Sequence, residues 1–216
     1  MNQGFFLVLE GCEGTGKSTV GHWLEQELIE RGYSVFFTRE PGGNGSPVAE
    51  KIRNIILDKE NNVLPLTEAY LFAASRAQHV NEIIIPHLNN HEIVICDRFV
   101  YSSYAYQGGG RNLGLEKIKI INSFAIENAI PNLILLFDLD PELGLQRKYQ
   151  NRQDLDRLDN ENLAFHLKVR QTYLQLAKQF PQLIEIINVN KPLEEVKQAV
   201  FKVVTQKLKE VSYDKN

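Results

Sequence analysis

Nine residues, Gly11-Cys12-Glu13-Gly14-Thr15-Gly16-Lys17-Ser18-Thr19, set a glycine-rich turn before a lysine and a hydroxyl at the spacing G-x-x-x-x-G-K-[ST]. Glycines let such a backbone turn its N–H groups onto phosphate oxygens, the lysine adds a point charge, and Ser18 offers a hydroxyl to Mg2+. A helix opening at Lys17 would add the positive end of its dipole. Glu13 is the odd member, because a carboxylate does not belong among groups that gather anions. Its side chain must face something other than the phosphates the loop wraps. The bland alternative is a tight glycine turn with no ligand, and it loses weight if a strand precedes the loop and a helix follows it.

Asp97 and Arg98 form a second pair, at the end of the apolar run "EIVICD". An aspartate at the C-terminal edge of a parallel sheet can hold a metal, usually through water, although a strand-end salt bridge would use the same residues. Guanine-specific switches need Asn-Lys-x-Asp, whereas Asn190-Lys191 is followed by Pro192 and Leu193. Asp97 does not begin Asp-x-x-Gly either, because position 100 is Val100. What the chain offers instead is a series of arginines between its apolar runs, Arg39, Arg76, Arg98 and Arg111. These could hold a second phosphate-bearing substrate.

Positioning such groups calls for an alternation of strands and helices. Five short apolar runs, "FFLVLE" at Phe5, "YSVFFT" at Tyr33, "EIVICD" at Glu92, "LILLFD" at Leu133 and "IEIINV" at Ile184, are unbroken rather than alternating. That pattern suits strands covered on both faces. Helix-like segments lie between them, over 17–31, 47–57, 67–89, 113–128, 141–150, 160–180 and 192–210, so the chain reads as β-α units around a parallel sheet. With 216 residues, one domain with insertions is the expectation, with residues after Val211 fraying. A net charge of −3 argues against a general nucleic-acid or membrane-surface binder. Cys12 and Cys96 lack zinc-ligand or disulfide spacing and fit a reducing cytosol. The N-terminus has neither a basic signal region nor a membrane span.

Taken together, the motifs resemble those of bacterial thymidylate kinases: "EGCEGTGKS" from Glu10, "TREPGG" from Thr38, "FAASR" from Phe72, "DRFVYSSYAYQG" from Asp97 and "LDRLD" from Leu155, in the family's order. The resemblance runs from Phe5 to Val204. It implies a three-layer α/β/α P-loop kinase fold with a five-stranded parallel sheet, a single domain over 1–211 and a short lid at about 147–158. It also implies transfer of the γ-phosphoryl group of ATP, with Mg2+, to dTMP in a cytoplasmic homodimer that uses the helices of 67–89 and 113–128. Related kinases with another nucleotide or nucleoside acceptor, or an inactive nucleotide-binding regulator, are the alternatives.

Carried over position by position, the resemblance assigns ATP to Gly11, Cys12, Glu13, Gly14, Thr15, Gly16, Lys17, Ser18 and Thr19, with Arg147 on adenine. The metal falls to Ser18 and Asp97. For dTMP it implies Arg39 and Arg98 on the phosphate, Phe72 stacked on the thymine and Arg76 bonded to it, and Ser103 and Gln107 along the base edge. Tyr106 would lie by the sugar, with Glu13 at the 3′-hydroxyl and on Arg98. Lys17, Arg98 and Arg152 are the implied catalytic residues. Some members of the family carry an arginine at the place of Gly14 and need none in the lid, so glycine here directs that role to Arg152, with Lys148 or Arg157 as substitutes. Departures are Phe99 for the usual tyrosine, Asp159 for the usual glutamate, and a longer stretch from Gly42 to Glu50.

Overall fold

A computed structural model of the chain describes residues 4–150 and 156–213. Five parallel strands, β1 (Phe5–Gly11), β2 (Val35–Arg39), β3 (Ile93–Asp97), β4 (Leu133–Asp138) and β5 (Ile184–Asn188), form one sheet in the order β2-β3-β1-β4-β5. The unbroken apolar runs are explained by burial on both faces. Phe6 and Val8 of β1, with Ile134 and Leu136 of β4, enter one core, while Phe5, Leu7 and Leu9, with Leu133 and Leu135, enter the other.

Helix α1 (Lys17–Glu30) and the C-terminal helix α9 (Leu193–Glu210) cover the second face, where Val20, Leu24 and Leu28 meet Val196, Val200 and Val204. Helix α8 (Leu163–Gln179) lies on the first face through Phe165, Val169, Tyr173 and Leu176. The remaining helices are α2 (Pro47–Leu57), α3 (Pro65–His79), α4 (Ile85–Asn89), α5 (Val100–Ser103), α6 (Leu115–Ser123) and α7 (Pro141–Gln150).

Where the expected helices differ, the backbone gives the reason. The segment expected as one helix over 67–89 is α3, a π-helical stretch Val80–Ile84, and α4. Pro86 has no N–H and its ring crowds the carbonyl four residues back; the wider turn, with the Ile85 N–H on the Val80 carbonyl, absorbs it. The helix expected over 113–128 stops at Ser123, and Glu127 soon takes a positive φ of 43°. A second π-helical stretch, Tyr104–Gly110, ends in three glycines that let α8 approach: a Cβ on Gly109 would stand 2.0 Å from Thr172 Oγ1. At the C-terminus Tyr213, expected to fray, instead packs on Phe5 and Tyr33 and donates its hydroxyl to the His91 carbonyl.

Strand β1 sits between β3 and β4, so the chain reverses its direction of sheet growth beside it. Crevices at such switch points, outside the carboxyl ends of the strands, are where open α/β sheets bind ligands. The loop after β1, Asp97 and Arg98 after β3, and Arg39 at the end of β2 all emerge there, with Arg39 and Leu9 both in register with Asp97.

Candidate active site

One cavity of about 710 Å³ opens over this edge. Its floor is the loop from Glu13 to Thr19, and its walls come from the ends of β2 and β3, from α3, from the second π-helical stretch, from α7 and from Asp156 and Leu158. Gly16, at φ 80°, turns the chain into α1, and Lys17 begins the helix. Lys17 is 6% exposed and donates from Nζ to the carbonyls of Gly11 (3.1 Å) and Cys12 (2.9 Å) and to Thr15 Oγ1 (3.3 Å). Burial, and then the charge of Arg98, pull its pKa below the ordinary lysine value, against the opposing pull of Asp97 and Glu13.

Glu13 answers for its presence in the loop by turning away from this cradle. Arg98 Nη2 donates to it at 2.5 Å, the Tyr106 hydroxyl at 3.0 Å, and Lys148 Nζ lies 3.3 Å from its other oxygen. Burial alone would raise its pKa, but the charges of Arg98, Lys17 and Lys148 hold it well below the usual carboxylate range. Arg98 adopts φ 71°, a left-handed conformation that costs a residue with a Cβ roughly 1–2 kcal/mol. What holds it there is its N–H on the Leu9 carbonyl (2.8 Å), its side chain on the Gly11 carbonyl (2.8 Å) and the ion pair with Glu13. Burial works against the charge of Arg98 and Glu13 more than offsets it, leaving its pKa well above the ordinary value.

Ser18 Oγ donates to Asp97 Oδ2 at 2.5 Å, while Asp97 Oδ1 is buried without a hydrogen-bond partner among the described residues. A hydroxyl beside a half-committed carboxylate is an oxygen donor set suited to a hard cation that keeps water and phosphate as its other ligands. No cluster of three or more His, Cys, Asp or Glu ligands occurs among the described residues, so the residues present fit Mg2+ held jointly with a nucleotide rather than in a closed protein cage.

Of the residues expected from the sequence, Glu13 to Thr19, Arg39, Phe72, Asp97, Arg98, Tyr106, Gln107 and Arg147 line the cavity. Arg39 pairs with Glu50 at 3.2 Å, and Phe72 packs on Ile56 and Leu158. Gly11, Cys12, Arg76 and Ser103 do not form its wall. Gly11 and Cys12 instead present their carbonyls to Lys17 from a buried turn. Arg76 is 1% exposed, since its guanidinium is drawn to Glu40 (2.8 Å), Ser103 Oγ (3.1 Å), the Phe99 carbonyl (3.2 Å) and Asn122. It stands with Ser103 one layer behind the wall. Arg157 turns to Glu68 and the Ile56 carbonyl rather than to the cavity. Arg152 lies outside the described residues.

Arg53, Asp156, Lys191 and Leu193 line the cavity without having been expected there. Arg53 reaches the Pro41 carbonyl at 2.7 Å from α2; in the sequence it is one charge on an amphipathic helix, with no spacing signal. Lys148, named only as a substitute for Arg152, lines the cavity and bridges Glu13 to Asp159. No helix among the described residues is long and apolar enough to cross a membrane.

This geometry sets a glycine-rich loop opposite a cluster of cations in one cavity, and comparison with known proteins gives it a family. The family model described as thymidylate kinase matches residues 9–200. The thymidylate kinase of Geobacillus thermodenitrificans is 49% identical over 195 residues, covering 89% of this chain and 86% of the relative. That of Acholeplasma laidlawii is 45% identical, covering 94% and 100%. The crystal structure of thymidylate kinase from Ehrlichia chaffeensis superposes with a TM-score of 0.76 at 31% identity, covering 94% of this chain and 99% of that one. The chain belongs to the thymidylate kinase family.

Proposed function

We propose that ATP, carried with Mg2+, is the donor for the phosphorylation of dTMP to dTDP by this member of the family, and that the cavity holds both nucleotides side by side. The observation that carries the reading is Glu13: a residue of the phosphate loop bound at once to Arg98 and Tyr106 of the opposite wall. Donor and acceptor sites therefore share a side chain. A monophosphate is already an anion at neutral pH, so the protein need not remove a proton; it must hold two polyanions together and neutralise their charge.

In this reading the loop N–H groups and Lys17 take the donor phosphates, and Arg147, beside the Val189 carbonyl, takes adenine. Ser18 and Asp97 would hold Mg2+, which when bound neutralises charge on the donor phosphates. Arg39 and Arg98 receive the dTMP phosphate, Phe72 stacks on the thymine, Tyr106 and Glu13 meet the sugar, and Gln107 meets the base edge. Arg76 and Ser103 support that edge from behind. Arg152 supplies the catalytic charge of the lid.

Exposed Leu66 and Tyr70 on α3, and Ile120 and Phe124 near α6, support a homodimer through that face, since the two helices pack together with Arg76 on Asn122 beneath it. The free, buried thiols of Cys12 and Cys96 fit a cytoplasmic enzyme. ADP release with a panel of nucleoside monophosphates tests the assignment: dTMP is the best acceptor and thymidine a poor one. A preference for AMP, GMP or CMP would refute it, and efficient turnover of thymidine would point to a nucleoside kinase.

A further inference from the structure

Glu68 is fully buried on α3, one helical turn before Phe72. Donors converge on both of its oxygens. Oε1 receives Gln107 Nε2 at 2.8 Å and Arg111 Nε at 3.2 Å; Oε2 receives Arg111 Nη2 at 3.0 Å and Arg157 Nη2 at 2.6 Å. Two guanidinium groups fix this carboxylate as an acceptor, so the amide of Gln107 can face it only with its NH2 group. Reversing that amide would set two acceptor oxygens against each other. Gln107 lines the cavity, and with its NH2 group turned to Glu68 the side-chain acceptor it offers a ligand is its amide oxygen.

We propose that Glu68 is a positioning residue for the acceptor base, turning Gln107 so that its oxygen meets a ring N–H and rejects a base with a lone pair in that place. Thymine and uracil, joined to the sugar through N1, carry one ring donor, N3–H; cytosine has a bare N3 there. The proposal rests on the reading that Gln107 touches the base. Arg111 and Arg157 hold the carboxylate in place.

The test compares kcat/KM for dTMP, dUMP and dCMP by ADP release. In Glu68→Gln the new amide can offer either group to Gln107, which is then free to reverse. The dTMP:dCMP ratio falls at least about tenfold, as expected when a buried donor–acceptor match is lost, while the dTMP:dUMP ratio stays within twofold. Glu68→Asp keeps a carboxylate for both arginines but withdraws it from Gln107 by one methylene, and gives the same fall if Glu68→Gln does not fold. A folded variant with an unchanged dTMP:dCMP ratio, or one that loses all acceptors equally, overturns the proposal. Gln107→Leu separates the layers. If it leaves the ratio unchanged, the base contact itself is refuted; if it lowers the ratio and neither Glu68 variant does, only the positioning role falls.

Discussion

Helix α7 rests on the phosphate loop through two glycines, and adding one methyl group there tests how tightly the loop must be held. A Cβ on Gly144 would stand 2.3 Å from the carbonyl oxygen of Glu13. Carbon–oxygen contacts close at about 3.3 Å, so Gly144→Ala makes loop or helix retreat by about 1 Å. Glu13 carries the bonds from Arg98 and Tyr106, so the retreat misaligns donor and acceptor sites together. A displacement of that size costs on the order of 100-fold in rate, which is about 2.7 kcal/mol of barrier. Stability changes less: overpacking costs about 1–3 kcal/mol, and replacing a helical glycine by alanine returns about 1 kcal/mol. The net loss of about 0–2 kcal/mol lowers Tm by only a few degrees in a chain of this length. Steady-state ADP release with dTMP, read beside a thermal melt, separates the two effects, with Gln146→Ala on the exposed face of α7 as the control. Gly144→Ala with kcat/KM within threefold of the parent would refute the reasoning.

Three further outcomes test the proposed roles. Arg152→Ala lowers kcat by on the order of 10³ with dTMP binding little changed, and Gly14→Arg does not restore it; an unchanged kcat, or rescue by that second change, would remove the lid arginine from the mechanism. Asp97→Asn takes a charge from the oxygen pair with Ser18 and raises the Mg2+ concentration for half-maximal rate at least about tenfold; an unaltered Mg2+ requirement would dismiss the metal assignment. Glu13 has a folded pKa depressed below the ordinary 4.5, so its stabilisation is present above that value and is lost as pH falls and the unfolded chain takes up the proton first. Glu13→Gln therefore costs most stability near pH 7 and progressively less toward pH 3.5 in urea unfolding, and a pH-independent difference would contradict the ion-pair account.

The sequence disclosed the elements and the loop more readily than the wall of the cavity. Strand runs and the glycine-lysine-serine spacing are local patterns, and local patterns survive into the fold with shifts of a few residues at the ends. The π-helical stretches did not show, because they answer to Pro86 and to the approach of Thr172 to Gly109, and the second of these is tertiary. Arg76 shows the limit most clearly. Its place four residues after Phe72 puts both on one helix face, but only the fold brings Glu40, Ser103 and Asn122 around it and draws it behind that face. Arg53 failed to stand out for the opposite reason, being a single charge on a helix whose partner, the Pro41 carbonyl, lies on another segment.

The choice of glycine at position 14 is where sequence and structure explain each other. Under the family resemblance Gly14 is a missing charge, where some members place an arginine. Read in the fold, it is a contact: at φ 66° a Cβ on Gly14 would stand 2.0 Å from the Gly144 carbonyl oxygen. No side chain enters that position unless α7 withdraws, and α7 is the helix that carries Arg147 and Lys148 into the cavity. Close packing of the lid helix on the loop and a cation at position 14 are therefore mutually exclusive. Under the proposed function, a loop sealed by Gly14 and Gly144 takes its additional positive charge from α7 or the residues beyond it, and Lys148 of α7 already bridges Glu13 to Asp159.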